Sequence, residues 1–143
     1  MIFTEQTYHY KADAIFGRYL HNGHKVTNLV ADQLYNAFEA ERISDAEFRQ
    51  VLAADLLWGG EERQTQEQLV LVVEASWPIE VRDIERAAEN AIVLRRIGIK
   101  ALGVVGGQEW PEISVDHARA KGIVTIINGY VDRDSWQVAW SRI

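Results

Sequence analysis

Two acidic residues stand beside apolar segments, where charged side chains are rare. Glu74 directly follows Leu69–Val73, a run that is apolar at every position and is therefore typical of a strand covered on both faces. Asp55 directly precedes Leu56–Trp58, a second apolar run. A carboxylate withdrawn from water must be paired, protonated or bound to a cation. The sequence therefore marks both acids as candidates for chemistry.

The polar segment between the two apolar runs, residues 59–66, predicts a hairpin. If its turn is centred between Gln64 and Thr65, Asp55 and Glu74 are equally far from the centre and lie opposite one another, with Cβ atoms about 5 Å apart. Two carboxylates that close raise each other's pKa, and a divalent cation relieves the repulsion. Mg²⁺ takes one or two carboxylates and otherwise waters and substrate phosphates, so the pair predicts metal-assisted phosphodiester chemistry, with Mn²⁺ as the alternative ion.

The competing interpretation is that the turn is off-centre. A slip of one residue turns the two acids to opposite faces of the sheet, and Glu74 then pairs with a nearby arginine. Arg82 and Arg86 are four residues apart on one face of the helix predicted to follow, so either side chain could reach back to the acids. Their alternative role is ordinary surface pairing with acidic neighbours on the same helix. We retain Arg86 as a candidate.

The order of these features is similar to that of a known nuclease superfamily. An acid at the head of one strand, a polar hairpin, then Glu-x-Lys on the next strand, with flanking helices, resembles the PD-(D/E)XK, or restriction-endonuclease-like, nucleases. The resemblance covers about Asn28 to Val131, and the segments Leu71–Ser76 and Asp83–Ala87 are similar to those of uncharacterised bacterial members. It implies an α/β fold with an αβββαβ core, in which helices flank a mixed central sheet.

The resemblance also implies roles for individual residues. Asp55 and Glu74 take the positions of the metal-binding acids. Ser76 takes the position of the lysine that orients the attacking water, and this departure puts the transition-state charge balance in doubt. We therefore list Asp55, Glu74, Ser76 and Arg86 as candidate catalytic residues, with Asp55 and Glu74 as candidate metal ligands.

The charge distribution argues against a large nucleic-acid-binding face. The chain of 143 residues has a net charge of −6, and residues 26–67, with nine acidic and three basic side chains, account for all of it. A protein that binds nucleic acid through counterion release normally presents a basic surface. The chain contains no cysteine, which excludes disulfides, thiolate zinc sites and a cysteine nucleophile.

Periodicity predicts one domain over residues 1–143, with a mainly helical part at 1–54, an α/β core at 55–131 and a tail at 132–143. A capping box at Ser44–Glu47 marks a helix start. His21–His24 reads as a solvated loop and Gly106-Gly107 as a turn that ends a strand. In the tail, Trp136 and Trp140 are expected in the core or an interface. The predicted helices are Tyr8–Leu20, one beginning at Thr27, a short one beginning at Ser44, Val81–Ile97 and Ser114–Ala120; the further predicted strands are Lys100–Val105 and Gly122–Ile127.

These features favour a Mg²⁺-dependent nuclease, with DNA ahead of RNA as substrate. The alternative is a degenerate nuclease-fold domain that acts as a binding or dimerisation module, with a second copy of the chain as partner. A third hypothesis, a phosphate-ligand binder using the Gly106-Gly107 turn, has less support because neither nucleotide-loop motif is present. We expect no membrane span because no run of 18 apolar residues occurs, and no signal peptide because the amino terminus does not show a basic and then an apolar segment. The absence of cysteine favours a cytoplasmic location.

Overall fold

The computed structural model describes residues 5–143. In that range the chain forms six helices and one six-stranded sheet. The helices are α1 (Glu5–Phe16), α2 (Thr27–Glu39), α3 (Asp45–Leu52), α4 (Val81–Arg96), α5 (Glu112–Lys121) and α6 (Arg133–Ser141). The strands are β1 (Leu20–Lys25), β2 (Leu56–Glu62), β3 (Gln68–Ala75), β4 (Ala101–Gly107), β5 (Val124–Ile127) and β6 (Tyr130–Val131).

The sheet is mixed, and its strands lie side by side in chain order from β1 to β6. β1, β2 and β3 are antiparallel neighbours, whereas β3, β4 and β5 run parallel and β6 turns back along β5. Helices α4 and α5 form the two crossovers between the parallel strands, as such connections require. The prediction of a mixed α/β sheet flanked by helices is confirmed.

The register of the hairpin between β2 and β3 agrees with the prediction from the turn. Leu56 lies opposite Val73 and Glu61 opposite Gln68, so the pairing is centred between Gln64 and Thr65. The buried carboxylate of Glu62 fixes this turn, because its Oε2 accepts hydrogen bonds from the backbone of both central residues at 3.0 and 2.7 Å. Gln66 closes the turn with a positive φ of 63°.

Each face of the sheet is covered by a different set of helices. Helices α1 and α6 pack on one face, with Phe16 and Trp136 among their buried side chains. Helices α2, α3, α4 and α5 pack on the other, through Leu34, Val51 and Leu94 among others. Both faces of β3 are therefore apolar, which explains the uninterrupted hydrophobic run before Glu74.

Two local features bring the elements around β3 into place. The predicted capping box of α3 is present: Ser44 Oγ accepts from Glu47 N, and the Glu47 carboxylate accepts from Ser44 N. Helix α4 approaches β4 so closely at Gly103 that a Cβ there would lie 2.8 Å from the carbonyl oxygen of Ala87. Glycine at this position therefore allows α4, the helix that follows Glu74, to pack directly against β4.

Several predicted boundaries were wrong in the first third of the chain. Helix α1 ends at Phe16, and Leu20 begins a strand instead of ending the helix. The segment His21–His24, predicted as a solvated loop, lies in edge strand β1, where the register shifts between His21 and His24. Asn22 has a positive φ of 55° in this irregularity, so the Asn-Gly pair that reads as a turn in sequence forms a bulge within a strand.

The other corrections concern glycines and the carboxyl terminus. Gly106 and Gly107 are buried residues of β4, so the turn predicted there was wrong. Gly122 is the left-handed residue that ends α5, at a φ of 66°, and does not begin the strand. The predicted tail contains helix α6, whose Trp136 is buried in the core as expected. Among residues 5–143, no helix is long and apolar enough to span a membrane.

Candidate active site

Asp55 and Glu74 meet at the carboxyl end of β3. Asp55 is the residue before β2, and continuing the β2–β3 register by one step places it opposite Glu74. Both residues lie on the sheet face covered by α4, because their neighbours Leu57 and Val72 pack into the cluster on that face. The polar hairpin therefore sets which acids face one another.

The Asp55 carboxylate is fixed by the backbone of the neighbouring strand. Its Oδ2 accepts a hydrogen bond from Ala75 N at 2.8 Å. This contact replaces the next backbone hydrogen bond that the β2–β3 pairing would make beyond Leu56. The Asp55 side chain thus pairs with β3 at a position where the backbone before β2 no longer does. Asp55 is half-buried, and its position is determined by β3 as much as by its own chain.

Glu74 is enclosed, with only 2% of its surface exposed. Burial raises the pKa of its carboxyl to about 8, and the charge of Asp55 and the hydrogen bond between the two carboxyl groups act in the same direction. The guanidinium of Arg86 opposes the rise in pKa without cancelling it. Without a further cation, Glu74 is therefore largely protonated at neutral pH, and its hydrogen bond to Asp55 stabilises the protonated form.

Arg86 connects the acid pair to α4. Its Nε donates to Glu74 Oε1 at 3.3 Å, and an Nη donates to Asp83 Oδ1 at 3.1 Å. Asp83 is itself buried and accepts from Glu80 N through its other oxygen, which caps the helix. Asp83 therefore connects Arg86 to the amino-terminal cap of α4 and fixes the position of the guanidinium. The sequence offered two roles for Arg86, contact with the acid pair or pairing with acidic neighbours on its own helix, and Arg86 makes a contact of each kind.

The structure brings the acid pair and Arg86 together, whereas Arg82 points to other partners. Arg82 pairs with Glu80 at 3.1 Å and is largely exposed. Ser76 is the first residue after β3, two positions beyond Glu74, and its Oγ donates to the carbonyl of Pro78 at 3.1 Å. The hydroxyl thus stabilises the loop after β3, and no lysine stands at this position.

The donor set fits a hard divalent cation bound by few protein ligands. Within residues 5–143 the acidic and histidine side chains form no group of three or more that could hold a metal ion, so any ion here would depend on the two carboxylates. One or two carboxylates completed by water and phosphate oxygens are typical for Mg²⁺. A cation at this pair would also favour the ionised form of Glu74, against the burial and the Asp55 charge that otherwise keep it protonated.

Comparisons with known proteins do not assign the chain to a family. No family model matches it, and neither a curated protein nor a solved structure gives a match.

Proposed function

We propose that this protein is a Mg²⁺-dependent nuclease that cleaves phosphodiester bonds in nucleic acid. The observation that carries the proposal is the pairing of Asp55 with Glu74 across the β2–β3 hairpin, in a buried position beside an arginine. A buried glutamate beside a second, half-buried carboxylate is costly to the fold unless the pair binds something that compensates its charge. This arrangement is the one expected of a two-carboxylate metal site.

The order of elements supports a restriction-endonuclease-like core as the architecture of the proposed enzyme. Helix α1, the antiparallel strands β1 to β3, helix α4 and strand β4 follow one another as α, β, β, β, α, β, with α2 and α3 inserted between β1 and β2. In the expected pattern the first acid precedes the second strand and the glutamate lies on the third. Asp55 and Glu74 occupy those places.

In the proposed reaction, Asp55 and Glu74 would hold the cation, which would polarise a phosphodiester oxygen and lower the pKa of a bound water. Arg86 would supply the fixed positive charge that the family lysine supplies elsewhere. It already contacts Glu74 and is held by Asp83, so it needs little reorganisation to stabilise negative charge on a phosphate. Ser76 would only shape the loop.

The alternative function, a non-catalytic binding or dimerisation module, is favoured by one observation. Arg86 is bound to Glu74 and Ser76 replaces the lysine, so the polar groups of the site already satisfy one another in part. Such a self-contained cluster could persist as a structural remnant of an active site.

Digestion assays separate the two functions. Wild type, Asp55→Ala and Asp32→Ala are incubated with plasmid, single-stranded DNA and RNA in Mg²⁺ or Mn²⁺; Asp32 is an exposed aspartate on α2 and serves as the matched control. The nuclease proposal predicts cleavage by wild type and Asp32→Ala that Asp55→Ala lacks. Inactivity of wild type on every substrate would favour the module.

A further inference from the structure

One tryptophan is exposed in the loop that follows β3, the strand that carries Glu74. Trp77 lies three residues after Glu74, and 51% of its surface is exposed. The other four tryptophans are buried or half-buried in contacts: Trp58 and Trp136 lie in the core, Trp110 donates to the carbonyl of Ile126, and Lys100 lies over Trp140. Trp77 thus differs from every other tryptophan of the chain in the surface that it presents to solvent.

The loop that carries Trp77 is fastened on both sides. Before it, Ser76 N donates to the carbonyl of Gly106 at 3.1 Å. After it, Ile79 N donates to the carbonyl of Glu109 at 3.1 Å, and Ser114 Oγ donates to the carbonyl of Ile79 at 2.8 Å. The side chain of Ile79 is also buried. A large apolar ring on a backbone held this way loses little conformational entropy when it binds a flat partner.

A second aromatic group lies at the same edge of the sheet. A groove of about 520 Å³ runs between α1 and the β5–β6 turn and is lined by Arg18, Gln108, Asn128 and Tyr130 among others. Gln108 and Asn128 follow the carboxyl ends of β4 and β5, and these strands are parallel to β3, so the groove opens at the edge where Glu74 lies. Tyr130 is 77% exposed.

The charge in the groove is positive although the chain as a whole is acidic. Lys11 lines it from α1, and Arg18 lines it from the turn that follows this helix. Helix α1 packs on the face of the sheet opposite to the acid pair. A ligand that touched both the acids and the groove would therefore cross the carboxyl edge, which a flexible strand can do more readily than a stiff duplex.

We propose that the substrate is a single-stranded polynucleotide that stacks a base on Trp77 and crosses the carboxyl edge of the sheet into the groove lined by Arg18 and Tyr130. Stacking on aromatic rings tolerates any base and needs few cationic contacts, which fits a protein of net charge −6. This inference rests on the proposed function for the chemistry at the acids, but the binding can be measured without it.

Binding is tested in EDTA, where no cleavage occurs, by fluorescence anisotropy of labelled single-stranded DNA, single-stranded RNA and duplex DNA. Trp77→Ala should weaken single-strand binding about tenfold or more, and Trp77→Phe should retain most of it because the ring persists. Tyr35→Ala, which removes an exposed aromatic side chain from α2, serves as the matched control and should bind as wild type does. The DNA and RNA arms identify which polynucleotide is preferred.

Two further readouts separate stacking from a general structural effect. Single-stranded polynucleotide should quench tryptophan fluorescence in wild type and much less in Trp77→Ala. The logarithm of the binding constant should fall with the logarithm of salt concentration, and Arg18→Ala should make that slope less steep by about 0.7, the value for one phosphate contact on a single strand.

The outcomes distinguish this inference from the nuclease proposal. Trp77-dependent binding of single strands without any cleavage would uphold the inference and remove the nuclease. Cleavage with binding that Trp77→Ala leaves unchanged, tighter binding of duplex than of single strands, or no binding of any polynucleotide by wild type would overturn the inference.

Discussion

At the scale of single residues, the buried glutamate determines how the site responds to pH. The folded chain holds the Glu74 proton more tightly than the unfolded chain does, because the pKa is about 8 in the fold against 4.5 for the free side chain. The contribution of Glu74 to the free energy of unfolding is therefore at its maximum below pH 4.5. It falls as the pH rises toward 8, by up to about 1.4 kcal/mol per pH unit. Without a metal, the acid destabilises the fold at neutral pH.

Glu74→Gln should remove that pH dependence. The amide cannot ionise, so the free energy of unfolding of the variant should rise relative to wild type between pH 5 and pH 8 in EDTA. Urea denaturation at a series of pH values measures this difference. Glu112→Gln, at an exposed glutamate of α5, is the control and should follow wild type. Parallel curves for wild type and Glu74→Gln would show that Glu74 is not held protonated.

Arg86 should matter more for catalysis than for metal binding. Arg86→Ala removes a positive neighbour, so the affinity for Mn²⁺ should not fall, while cleavage at saturating Mn²⁺ should drop by about 10²- to 10³-fold. Arg86→Lys keeps the charge and should retain part of the activity. Turnover and Mn²⁺ affinity, measured on the same preparations, test whether the substitution affects cleavage without affecting metal binding. A variant that lost metal binding and turnover together would contradict the role assigned to Arg86.

The resemblance to the nuclease superfamily puts Ser76 where those enzymes have a lysine, which allows a test by gain of function. If the proposed function is correct, Ser76→Lys should increase cleavage where the new ammonium fits beside Glu74, because it adds a positive charge where negative charge develops. The loss of the Ser76 hydrogen bond to Pro78 is a separate effect, and Ser76→Ala isolates it. Equal activity of wild type, Ser76→Ala and Ser76→Lys would show that this position has no part in charge balance.

At the scale of elements, α3 leads the chain into Asp55. Ser44→Ala deletes the capping hydroxyl and should lower the free energy of unfolding by about 1 kcal/mol. Ser141→Ala removes a hydroxyl from the end of α6, where no helix start depends on it, and should have a smaller effect. Chemical denaturation of the three proteins measures the difference. Equal stability would mean that the capping box contributes little to positioning the site.

The sequence predicted elements well where local chemistry alone determines them. The β2–β3 register followed from the centre of one polar turn, and the start of α3 from its capping box. Prediction failed where a distant partner decides: His21–His24 is a strand because β2 pairs with it, and Gly106-Gly107 continues β4 because β3 and β5 lie beside it. No local pattern carries that information.

Within the candidate site, too, local features could be predicted and features that depend on distant parts of the chain could not. The two acids could be predicted because a single hairpin joins them. The contact between Arg86 and Glu74 was one of two alternatives, since it depends on the angle at which α4 crosses the sheet. The groove between α1 and the β5–β6 turn could not be anticipated, because it joins parts of the chain more than 100 residues apart.

At the scale of the whole molecule, the proposed nuclease requires a divalent cation bound at the acid pair. Isothermal titration calorimetry with Mn²⁺ at pH 7, in buffers of different ionisation enthalpy, measures stoichiometry and proton release together. We expect one ion per chain with release of close to one proton, because the cation displaces the proton that Glu74 holds at a pKa of about 8. Asp55→Ala should abolish binding. Absence of stoichiometric binding to wild type at millimolar Mn²⁺, or binding that Asp55→Ala leaves intact, would contradict the nuclease proposal.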